Sequence, residues 1–168
     1  EYVTGINSYL GYILLGTNKG VRYCTTDDQS NLVAGPIIPT SGPVYGFSSE
    51  DKYVWFTWSN YDGTSGGLGR MDLSAFTATN APVYATDLMY ESAADVTNVR
   101  NFNSKRIFLV KGIGVVAEDS TKLVSSGEIE TGVWRWGIPD RKFVAKVDTR
   151  ATPLVGSISQ YLKIDEGS

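Results

Sequence analysis

Histidine is absent from the 168 residues, and cysteine occurs once, at Cys24. Without an imidazole there is no Ser-His-Asp or Cys-His nucleophile system, no histidine acid–base catalysis and no ordinary zinc site. A single thiol cannot close an internal disulfide, so nothing in the composition calls for an oxidising compartment. Cys24 lies in the alternating stretch Val21–Thr26 and reads as a small buried strand residue. Long apolar runs are missing as well. The longest, Tyr9–Leu15, falls far short of the roughly 20 residues of a membrane helix, and no basic segment precedes it. The expectation is a soluble chain without membrane insertion or a visible secretion signal. It starts Glu1-Tyr2-Val3, without an initiator methionine and as if inside a strand, which suggests a processed or partial piece of a longer polypeptide. Sustained 3.6-residue apolar periodicity is also lacking, which limits helix to one short turn near Asp87–Ser92.

The residues present point to β structure. Apolar types make up 42% and charged types 20% of the chain, the balance of a protein that buries a core. Eighteen glycines and 6 prolines accompany 10 tyrosines, 6 phenylalanines and 4 tryptophans, a mixture suited to short strands joined by tight turns.

The formal charge of −3 is unevenly spread. Residues 1–99 carry four basic and ten acidic side chains, whereas residues 100–168 carry eleven basic and eight acidic ones. Because the basic residues are interleaved with acids, they read as a solvated sheet face and not as a nucleic-acid surface. Opposite signs in the two halves also suit an oligomer that apposes them.

The strand pattern repeats. Val3–Ile6, Tyr12–Gly16, Gly20–Tyr23 and Leu32–Ile37 form one set of four strands. Pro43–Phe47, Tyr53–Trp58, Leu68–Asp72 and Val83–Thr86 form a second, and Val96–Val99, Arg106–Val110, Gly114–Ala117 and Leu123–Ser125 with Glu128–Glu130 a third. The first-strand valines Val3, Val44 and Val96 are 41 and 52 residues apart, and an insertion rich in Gly, Ser and Asn at Ser59–Gly67 accounts for the longer interval. This is the period of a β-propeller blade, whose flat apolar faces are buried only by stacking on neighbouring blades. The expected fold is therefore all-β, with blades at about 1–40, 41–92 and 93–132. Three blades do not close a ring, so the rest are expected to precede Glu1 in the natural protein or to come from partner chains. Residues 133–168, where Phe143, Ala145 and Val147 alternate with Lys142, Lys146 and Asp148, read as the start of a β-sandwich.

Chemical sites are few. Asp27/Asp28, Glu50/Asp51, Glu118/Asp119 and Glu128/Glu130 are the carboxylate pairs that glycoside hydrolysis would need, but each falls in a turn or at a strand end. Asp62-Gly63 marks a hairpin in a loop that lacks the acid density of a calcium site. Gly66-Gly67-Leu68-Gly69 runs into a strand and precedes no helix, so it is not a phosphate loop. Trp55 and Trp58 read mainly as packing between blades, although Trp58 with Tyr61 and Asp62 could meet a sugar. Trp134 and Trp136 share one strand face, either as core or as a stacking platform. No catalytic, metal or cofactor residue is expected.

Several ordered segments resemble those of β-propeller structural proteins from the tails of double-stranded DNA bacteriophages. They are Leu14–Arg22, Gly35–Thr40, Val54–Gly63, Gly67–Leu73 and Ser126–Gly137. The resemblance implies a virion component near the tail tip or baseplate, not an enzyme, that acts by assembly or host attachment. Its implied partners are other phage tail proteins, further copies of itself, and a host surface glycan. Alternative readings are a glycan- or receptor-binding module and a carboxylate-dependent polysaccharide-degrading enzyme.

Overall fold

A computed structural model of the protein describes residues 1–40, 42–59, 66–90, 94–119, 121–122, 146–149 and 156–161. All eleven elements of regular structure among the described residues are strands, and none is a helix able to cross a membrane. β1 (Val3–Tyr9), β2 (Tyr12–Thr17), β3 (Gly20–Thr26) and β4 (Leu32–Pro39) form one antiparallel sheet in chain order. β5 (Phe47–Glu50), β6 (Tyr53–Trp58), β7 (Gly67–Phe76) and β8 (Pro82–Met89) form a second, and β9 (Val96–Phe102), β10 (Lys105–Val110) and β11 (Gly114–Ala117) a third. The all-β expectation holds, with strands close to the anticipated ranges.

The 41- and 52-residue intervals recur in the backbone itself. The two-residue turns after β1, β5 and β9 start at Leu10, Asp51 and Asn103, with φ of 49°, 53° and 51°. Such left-handed turns match the twist of the strands they join. The same intervals separate three equivalent hydrogen bonds. Asn18 N–H donates to the Tyr2 carbonyl (3.3 Å), Ser59 to Pro43 (3.3 Å) and Lys111 to Asp95 (2.9 Å). After this bond β1 bulges between Val3 and Gly5, and β9 bulges opposite the Leu109–Val110 step. The extra residue is the one after the repeat valine, Thr4 or Thr97. In the second sheet this position is Tyr45, just ahead of β5.

Two core clusters lie between successive sheets. Leu14, Val21, Tyr23 and Ile38 of the first sheet meet Val44, Phe47, Val54, Phe56, Met71 and Leu73 of the second. On its other face the second sheet presents Trp55 and Leu68 to Val96, Val99, Phe108 and Val110 of the third. In this stacking β1 approaches β5, and both β5 and β6 approach β9. Polar bonds reinforce both approaches. Asn7 Nδ2 donates to Ser49 Oγ (2.8 Å), Tyr9 OH to the Asp51 carbonyl (2.9 Å), and Asn101 N–H to Ser48 Oγ (3.0 Å).

Glycine permits the close approach of the sheets. A Cβ at Gly16 would lie 2.4 Å from the Val44 carbonyl oxygen and 3.3 Å from the Phe47 ring. The carbonyl is backbone and cannot swing aside. Gly16→Ala is therefore expected to lower stability by about 2–3 kcal/mol through overpacking, seen as a lower urea midpoint. Gly11→Ala, with open space around the site, should cost less despite its φ of 80°.

Three sequence expectations need correction or limitation. The helical turn near Asp87–Ser92 does not form up to Met89, because Thr86 and Leu88 continue the β8 ladder opposite Gly69 and Leu68. The strand expected at Pro43–Phe47 begins only at Phe47; just before it the N–H groups of Tyr45 and Gly46 donate to the side-chain oxygen of Thr57. The fourth strand of the third set (123–125, 128–130) lies outside the described residues.

The chain divides into two compact units, Glu1–Val124 and Ser125–Ser168. In the second unit only residues 146–149 and 156–161 are described, and they carry no strand, so the expected sandwich falls mainly outside the description.

Candidate functional site

Of the anticipated contact residues only Trp58 is among the described residues. Tyr61, Asp62, Trp134 and Trp136 lie outside the description. Trp58 ends β6, half-buried, with its ring stacked on Phe56 at 6.1 Å between centroids and packed against the first core cluster. Packing between sheets, the first of its two sequence readings, occupies this ring.

The carboxylates expected in turns serve the turns. Asp27 Oδ1 accepts the backbone N–H groups of Gln29 (2.9 Å) and Asn31 (2.8 Å), and these bonds hold its carboxyl below the ordinary value. Asp51 is the left-handed residue of the β5–β6 turn, and Glu50 accepts from Asn101 Nδ2 at 3.0 Å. Asp119 Oδ1 accepts Thr121 N–H at 2.9 Å, and Glu118 receives Arg106 Nε at 2.9 Å. The Arg106 guanidinium keeps the Glu118 carboxyl below its usual range. Glu128 and Glu130 lie outside the described residues. Each described member except Asp28 thus has a local structural task. No group of three metal-ligating side chains occurs among the described residues.

Asp72 is the most perturbed described carboxyl. It accepts both Ser74 Oγ (2.6 Å) and Ser74 N–H (2.8 Å), and Lys52 Nζ lies 2.9 Å away. The Ser74 hydroxyl and then Lys52 lower its pKa to about 2. A depressed carboxyl pKa adds stability above the unfolded value, and that contribution is lost as pH falls through the folded value. The Asp72 contribution should therefore persist at neutral pH and disappear between about pH 4 and pH 2. An NMR titration should place the Asp72 carboxyl midpoint near 2, and Ser74→Ala should raise it.

The densest polar cluster centres on Asp87 of β8, which sequence reading missed. Its side chain is 10% exposed and accepts Trp55 Nε1 at 2.9 Å. Arg106 of β10 binds the same carboxylate and also Glu118, while Arg70 of β7 lies 3.5 Å from Asp87 Oδ1. The Arg106 guanidinium covers the Trp55 ring at 5.8 Å, and Arg70 covers Tyr53 at 5.1 Å. The cluster is a charged joint between the second and third sheets. Its acceptors are already engaged, which suits fastening the sheets more than turning over a substrate. The available signal was one acid within an alternating strand, but its arginine partner lies 19 residues away in another sheet.

Comparison with known proteins produced no match to a protein family, a curated protein or a solved structure.

Proposed function

We propose that the chain is a virion structural protein of a bacteriophage tail, with its three sheets as β-propeller blades forming a rigid platform for tail assembly or host attachment. The observation that carries the fold part of this reading is the ordered stack of successive meanders, β1 lying by β5 and β9 lying by β5 and β6. Radial repetition around a central channel places equivalent strands of neighbouring blades side by side in this way. The phage-tail part rests on the ordered sequence segments that resemble tail proteins. The chemistry agrees with a contact role: the chain has no histidine, Asp27 and Asp119 serve turns, and Glu118 serves an ion pair.

In this reading the protein acts in the virion and assembles with other tail proteins in the host cytoplasm. It needs no cofactor and performs no catalysis. Mass spectrometry of purified intact virions should find its peptides in stoichiometric amounts, and an antibody to the chain should label the tail end. Virions without the polypeptide would overturn the proposal.

A further inference from the structure

The first sheet brings two phenols into contact. Leu14 of β2 stands opposite Tyr23 of β3, and side chains two apart along a strand share a face, so Tyr12 is the diagonal neighbour of Tyr23. Their ring centroids are 4.8 Å apart at an interplanar angle of 37°. Among the described residues no other pair of tyrosine rings is in contact. The hydroxyl ends are neighbours too. Burial, and after it the adjacent Tyr12 hydroxyl, push the Tyr23 phenol above its ordinary pKa. The ortho carbons of a phenol flank its hydroxyl, so hydroxyls placed side by side also place ortho carbons side by side.

The surroundings hold both rings and divide their exposure. Tyr23 meets the edge of Phe76 at 5.6 Å, and Tyr12 packs against the core between the first and second sheets. Tyr23 is 4% exposed and Tyr12 half-buried, so an oxidant in solution reaches Tyr12 first and the ring contact carries oxidation on to Tyr23. Tyr9 is the natural competitor, opposite Tyr12 in the β1–β2 ladder, but its hydroxyl donates to the Asp51 carbonyl at 2.9 Å and is drawn toward the second sheet.

We propose that Tyr12 and Tyr23 form an oxidative modification site, at which a one-electron oxidant joins the two rings into a dityrosine within the first sheet. Each phenol gives one electron to the oxidant and one proton to water. The two phenoxyl radicals combine through their ortho carbons, forming one C–C bond, and the ortho hydrogens pass to the oxygens and restore both phenols. The chain loses two hydrogens in all. With persulfate as the terminal oxidant, one persulfate takes up the two electrons and becomes two sulfates. The link ties β2 to β3 and restricts the unfolded chain, as any cross-link does.

The test illuminates the full 168-residue chain, at a few micromolar, with tris(bipyridyl)ruthenium and persulfate. The expected product has the mass of one chain less two hydrogens, the fluorescence of a dityrosine, and a cross-linked peptide that joins positions 12 and 23. Tyr12→Phe and Tyr23→Phe each remove only a hydroxyl, so both variants should keep the far-UV spectrum while losing this product. Tyr9→Phe and Tyr84→Phe should retain it. Oxidation in concentrated urea should lose the preference for the pair, and the native product should show a higher urea midpoint than the untreated chain.

A native chain that forms no intramolecular dityrosine overturns the proposal, as does a link made mainly through Tyr9 or any other tyrosine. A yield indifferent to Tyr12→Phe and Tyr23→Phe also overturns it. So does a lowered urea midpoint in the linked chain, since rings already in contact join without distorting the sheet.

Discussion

Phe56→Ala is expected to produce the largest loss of stability of any single truncation considered, about 3–5 kcal/mol. Phe56 is fully buried, stacks on Trp58, and stands in the core cluster between the first two sheets. Its ring also lies over Gly69, where an added Cβ would come within 2.2 Å of it, so β7 has been shaped to admit the ring. Alanine would leave a void lined by rigid strands that cannot collapse to fill it. A domain of this size has about 5–15 kcal/mol in total, so the variant should sit close to unfolding at 37 °C. Urea denaturation followed by tryptophan fluorescence measures the effect. Phe102→Ala is the control, since Phe102 is 68% exposed and its loss should stay within about 0.5 kcal/mol. A loss below about 1 kcal/mol at Phe56 would mean that the first two sheets are not packed through this face.

The second large effect concerns the charged joint. Asp87→Ala removes the acceptor of Trp55 Nε1 and one carboxylate partner of Arg106, leaving an indole N–H and part of a guanidinium without their bonds in a largely buried place. The expected cost is about 2–4 kcal/mol. Arg70 contributes little to this figure because its side chain is 43% exposed and water screens the pair. Asp87→Asn can still accept from Trp55 but loses the charge, and should cost roughly half as much. The distinguishing readout is local. The Trp55 indole proton should exchange faster in both variants, and amides of β9–β11 should lose protection before those of β1–β4. Uniform loss of protection across all three sheets would contradict a joint placed between the second and third.

The repeat was legible in the sequence because it is written in local chemistry. Val3 and Val96 each start a segment whose second residue is extruded as a bulge, and Gly5 and Gly46, two residues after Val3 and Val44, stand where a neighbouring backbone comes close. Alternation of apolar residues then carries the strands to within a few residues of their ends. The start of β5 was not legible because the residues before Phe47 have the same composition as those in the ladder, and only hydrogen bonding separates them. The end of β8 was misread because Asp87 and Met89 look helical in isolation, while the ladder to β7 decides the conformation. Long-range polar partners were not legible at all. Nothing near Asp87 in the chain points to Arg106, and register is needed to set them on facing sheets. Trp58 was visible as packing, because an aromatic in an apolar strand is more useful to a core than to solvent. The contact between Tyr12 and Tyr23 emerges only once register sets β2 beside β3.

The face-to-face stacking of successive sheets is the central claim, and a NOESY spectrum tests it most directly. The glycine contacts provide signals that no single sheet could produce. Gly16 Hα should show cross-peaks to the Phe47 ring, and Gly46 Hα should show one to Asn98 Hα, matching close approaches of 3.3 Å and 2.8 Å at the corresponding Cβ positions. Both sets of cross-peaks are predicted in the wild-type chain. Sheets that give their internal ladder signals while lacking these two would contradict the account.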